Sequence, residues 1–199
     1  MELIFVLVLL WMTQGLFFSQ VGAIGSGALV GVLTMGLLEL AALWYFRRSL
    51  PQRGVACVRA VPPFDVFARW TLFSLFCGGL LQAVSFCLAP TLDMRLQPLT
   101  QHWTGWLAAV AVAPLVEEIL FRACVFELVR PRSSTPIALL LSAALFGLAH
   151  GDLVSISLAF CAGVVFGVAY LRSGSILPGL IGHATVNAAG LIAIRHGLG

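Results

Sequence analysis

Seven long apolar stretches, separated by short polar connections, set the pattern of this chain: residues 3–20, 24–46, 66–89, 103–129, 135–150, 154–172 and 176–195. A helix needs about 20 mostly apolar residues to cross the hydrocarbon core of a bilayer. Helices also pair their own backbone N–H and C=O groups, as a medium without water requires. The pattern therefore predicts an all-α fold, a polytopic transmembrane helix bundle of about seven spans. The fourth stretch holds Pro114, whose missing N–H predicts a kink. The fifth is short for a crossing and is expected to end inside the protein, covered by its neighbours. Residues 1–100 are expected to carry the N-terminal spans and one cytoplasmic loop, and 101–195 the core that holds the intramembrane charges. The first charge is Glu2, with no basic segment ahead of the apolar run, so the N-terminal stretch is read as a retained span.

Composition agrees with this pattern. Of 199 residues, 60% are hydrophobic and 10% charged, against about a quarter charged in soluble domains. Arginine placement orients the bundle. Arg47, Arg48, Arg53 and Arg59 lie in the connection 47–65, Arg130 and Arg132 follow the fourth stretch, and Arg172 follows the sixth. In a seven-span arrangement these connections share one side, which the positive-inside rule assigns to the cytoplasm together with the N-terminus. Arg195 falls on the opposite side and runs against the rule. Cys57, Cys77, Cys87, Cys124 and Cys161 form no C-x-x-C pair and read as small buried hydrophobes. Trp11, Trp44, Trp103 and Trp106 lie near span ends, as interface anchors do. The partners implied are a lipid bilayer and membrane-associated molecules, with no nucleic acid.

Charge inside a span costs several kcal/mol and calls for a reason. The fourth stretch reads Val116-Glu117-Glu118-Ile119-Leu120-Phe121-Arg122. Glu118 and Arg122 are four apart and can pair. Glu117 points about 100° away on an α-helix, toward a cavity. Phe146 and His150 close the fifth stretch, and His183 and Asn187 share a face of the seventh. Taken singly, His150 reads as an interfacial residue and His183 with Asn187 as polar contact between helices. Together with two glutamates they form a set able to take a proton from water and to stabilise an oxyanion. Other protease patterns are missing: there is no H-E-x-x-H, no G-x-S-x-G, and Gly151-Asp152 lacks a second matching aspartate. Asp152 and Glu127 read as interfacial. Helix rise puts Glu117 about 20 Å and His183 about 10–15 Å from the cytoplasmic end, so convergence needs a tilted or buried fifth helix.

At these residues the chain resembles the CPBP family, the CAAX proteases and bacteriocin-processing enzymes. The motifs are Glu117-Glu118-x-x-x-Arg122, Phe146-x-x-x-His150 and His183-x-x-x-Asn187, with Phe160, Gly163, Gly167 and Gly174-Ser175-Ile176 between them. The resemblance covers about residues 103–190. Ala123 departs from it, since many members have glycine after the arginine; a packing adjustment is expected. The resemblance implies an intramembrane endopeptidase in which Glu117 is the general base and His150 holds the water or the substrate carbonyl. It makes His183 and Asn187 oxyanion stabilisers, Glu118 and Arg122 supports, and Phe146 a packing residue beside the site. No cofactor is favoured. Zinc is the alternative, held by Glu117, His150 and His183. Implied substrates are a membrane-associated peptide or protein: a CAAX-type tail, a leader or a C-terminal sorting anchor. The implied location is a bacterial plasma membrane. Two other classes are compatible with the same residues: a non-enzymatic self-immunity or scaffold protein, and a proton relay or transporter.

Overall fold

Large apolar side chains on the outside and small or polar ones on the inside mark the first long helix of the computed structural model. The structure describes residues 41, 52–88, 100–150 and 153–197. The expected span 3–20 and, apart from residue 41, the expected span 24–46 lie outside the described residues, as do Arg47, Arg48, Trp11, Trp44 and Asp152. A short helix, α1 (Gln52–Arg59), precedes α2 (Phe64–Leu88). On α2, Leu72, Phe76, Leu80, Val84 and Leu88 recur every four residues and are exposed, whereas Ser74 and Gly78 are buried. This is the reverse of a water-soluble helix. It fits lipid outside and close helix contact inside, where small residues let backbones approach.

A continuous helical run, 103–132, follows. It consists of α3 (Trp103–Leu107), a π-helical segment (Ala108–Val112), α4 (Ala113–Glu118), a second π-helical segment (Ile119–Phe126), α5 (Glu127–Val129) and a 3-10 turn (Arg130–Arg132). Pro114 falls in the first turn of α4, directly after the first π segment. The missing proline N–H is thus accompanied by a widened backbone register, one of the known local answers to proline in a helix.

α6 (Thr135–Leu148) begins with Ser134, whose side chain accepts from the Ile137 N–H. It is short, and its last turn packs inward with Phe146 and Gly147 buried. α7 (Leu153–Ser173) ends at Gly174, which adopts φ +69°. That left-handed conformation suits glycine and stops the helix. α8 (Leu177–His196) then starts with Pro178 in its first turn. The described residues are helical, without strands. α2, α7 and α8 are long and apolar enough to cross a membrane, and α6 is a shorter apolar helix. The protein is an integral membrane protein of helical build; the described residues do not establish the expected total of about seven spans.

α2 packs along α8 and α7, α7 also packs along α6 and α8, and the run 103–132 lies against α6, α8 and α1. Small residues set these approaches. Gly163 on α7 faces Ala143 of α6, and Gly182 on α8 faces Ser74 of α2. Gly54 of α1 sits so close to the Ala123 backbone that a Cβ would collide with its carbonyl oxygen.

Candidate active site

The burial of Glu117 (8% exposed), Glu118 (0%) and Arg122 (1%) along one helix demands compensation. Arg122 Nε lies 3.2 Å from Glu118 Oε2 and donates to it, and Nη2 donates to Oε1 at 3.4 Å. Arg122 also stands over the Phe146 ring, 5.3 Å from its centroid, where the ring face favours a cation.

His183 reaches in from α8 between the two glutamates. Its Nε2 is 3.5 Å from Glu117 Oε2, and its Nδ1 is 3.4 Å from Glu118 Oε1. The Nδ1 contact is an ion-pair approach without hydrogen-bond alignment. Glu118 pairs with Arg122 as the spacing predicts, and Glu117 meets His183. Both carboxylates meet the same imidazole, the second π segment beginning directly after Glu118. A ring between two acids also answers the depth problem, since Glu117 and His183 do converge.

Aromatic rings hold that imidazole. Phe166 of α7 stacks on it at 5.1 Å and 18°, and Phe146 meets it edge-on at 5.6 Å. Sequence reading singled out Phe160 on this helix and missed Phe166. Gly179 was also missed: a Cβ there would stand 3.1 Å from Glu118 Oε2 and 3.4 Å from the Phe166 Cβ. Its bareness admits the buried carboxylate.

His150 is half-buried in the turn after α6, and its ring lies 4.7 Å from that of Phe146. Phe146 therefore touches both histidines. His150 Nδ1 lies 2.8 Å from the Phe146 carbonyl oxygen. A carbonyl only accepts, so Nδ1 carries the proton and Nε2 is left as the acceptor of the neutral ring. Asn187, one turn beyond His183, donates from Nδ2 to the Ala109 carbonyl oxygen at 2.8 Å. Among the described residues, no three His, Cys, Asp or Glu side chains converge to hold a metal ion.

Glu127 is not interfacial as the sequence suggested. It is 3% exposed, accepts from Tyr170 Oη at 2.9 Å, and pairs with Arg130 Nη2 at 2.9 Å. Of the cysteines, Cys124 is buried, Cys57 and Cys77 are half-buried, and Cys87 and Cys161 are exposed, so the expectation of burial fails for two of them.

The segment that carries this constellation matches a family model. The model, described as type II CAAX prenyl endopeptidase, Rce1-like, matches residues 99–189. A curated protein of Rattus norvegicus, CAAX prenyl protease 2, is 30% identical over 129 residues, which is 60% of this chain and 41% of the rat protein. The chain thus spans about two fifths of that relative's length. No solved structure matches. Glu117, Glu118, Arg122, Phe146, His150, His183 and Asn187 all fall inside the matched segment, and that segment is similar to the CAAX prenyl endopeptidases.

Proposed function

We propose that the chain is an intramembrane endopeptidase that hydrolyses a peptide bond of a membrane-associated protein or peptide, with Glu117 activating the water. The carrying observation is the placement of His183 between Glu117 and the Glu118–Arg122 pair. Two carboxylates and one guanidinium leave one negative charge uncompensated in a low-dielectric site. One proton shared by Glu117 and His183 brings the set to neutrality, which burial favours. In the form with the proton on His183, Glu117 is an ionised carboxylate able to act as base and the imidazolium presents N–H donors.

The reaction then balances as follows. Glu117 takes a proton from water as the water oxygen bonds to the carbonyl carbon. Neutralising Glu117 weakens its hold on the His183 N–H, which becomes available to the oxyanion. Collapse of the intermediate breaks the C–N bond, and Glu117 returns its proton to the leaving amine. His150, fixed by its bond to the Phe146 carbonyl, offers Nε2 to orient the water. Asn187 is engaged by the Ala109 carbonyl and is not placed on the reacting atoms.

The relative's name points to a prenylated CAAX tail as the first substrate to try. A leader peptide or a C-terminal sorting anchor is compatible with the same chemistry. Mass spectrometry of such a peptide, incubated with the chain in liposomes, tests the reading. Cleavage at one bond, unchanged by a chelator, is expected. An intact peptide favours a scaffold. Activity lost to chelation and restored by zinc contradicts the metal-free mechanism.

A further inference from the structure

Asn187 points at a backbone carbonyl, and hydrogen-bond accounting around that carbonyl explains why. In an α-helix, Ala109 C=O would accept from the N–H of Ala113. That N–H donates to Ala108 C=O instead, the longer π pairing. In the π register, the donor to Ala109 C=O would be residue 114, which is proline and has no N–H. Both backbone donors are therefore lost at one carbonyl. Asn187 Nδ2 supplies the replacement at 2.8 Å from a helix 78 residues away in sequence. Without water, an unmet carbonyl is costly.

We infer that Asn187 is a positioning residue that caps the carbonyl opened by Pro114 and so fixes α8 in register against the run 103–132. The geometry places this tie where it matters. Asn187 lies one turn after His183, and Ala109 lies about two turns before Glu117. The capped carbonyl thus braces the pair of helices that bring Glu117 and His183 to 3.5 Å. The link to cleavage rests on the proposed function; the capping itself does not.

The test uses the full chain in liposomes with Asn187→Ala, Pro114→Ala and the double variant. Pro114→Ala restores an N–H at position 114 and gives Ala109 C=O a backbone donor. Two quantities are read: cleavage rate, and the carbonyl carbon chemical shift of Ala109. Asn187→Ala is expected to lower cleavage by about tenfold or more. It should also move the Ala109 shift toward that of a carbonyl without a hydrogen bond. The double variant is expected to return both to the Pro114→Ala level, a rescue that loss of an oxyanion donor would not permit. An Ala109 shift unchanged in Asn187→Ala overturns the inference. So does a double variant as slow as Asn187→Ala, which would place the amide on the reacting atoms. Should the wild-type chain cleave nothing, the shift alone decides, and only the protease reading fails.

Discussion

Two buried glutamates on the same helical run have partners of different kinds. Glu127 is held by the Tyr170 hydroxyl, which donates to it, and by the Arg130 guanidinium, which pairs with it. Glu117 faces the His183 imidazole, whose nitrogens can either donate or accept a proton. The first arrangement is a closed structural tie. The second sets an acid against a ring that can pass a proton to or from it. Burial of an acid alone therefore does not mark chemistry; the kind of partner it meets separates the two regions.

Several variants sharpen this contrast. Replacing His183 with Phe removes the proton partner and should lower cleavage by about 10²-fold or more, read as rate per folded molecule. Arg122→Met leaves Glu118 without its guanidinium in an apolar setting. A loss of about 3 kcal/mol of stability is expected in thermal or denaturant unfolding, partly recovered when Glu118→Gln is added. On the Glu127 side, Tyr170→Phe should cost about 1 kcal/mol and leave the cleavage rate per folded molecule unchanged. The smallest effect is expected at Ser142, which donates to the Phe121 carbonyl at 2.6 Å. Ser142→Ala should lower stability by about 0.5–1 kcal/mol.

Much of the site is legible in the sequence because its pairings are local. Glu118 and Arg122, or His183 and Asn187, need only helical spacing to share a face. Apolar runs likewise announce helices, and Gly174 with Pro178 announces the turn between α7 and α8. What stays hidden is set by tertiary register. His183 reaches Glu117 and Glu118 from a helix distant in sequence, so their shared imidazole is not announced by helical spacing. Phe166 stacks on His183, and Gly179 makes room for Glu118, through contacts between helices that carry no periodic signal. Glu127 looked interfacial because its partner Tyr170 lies 43 residues downstream. The role of Asn187 at Ala109 emerges only once the backbone donors around Pro114 are counted.

The central claim is that Glu117 acts on water while Glu127 only ties helices. Its most direct test measures Glu117→Gln and Glu127→Gln side by side, with cleavage of a CAAX-type peptide and unfolding followed on the same preparations. Glu117→Gln should lose cleavage by about 10²-fold or more while remaining folded, and Glu127→Gln should keep its rate per folded molecule. Equal rates in the two variants, or cleavage surviving in Glu117→Gln, would contradict the account.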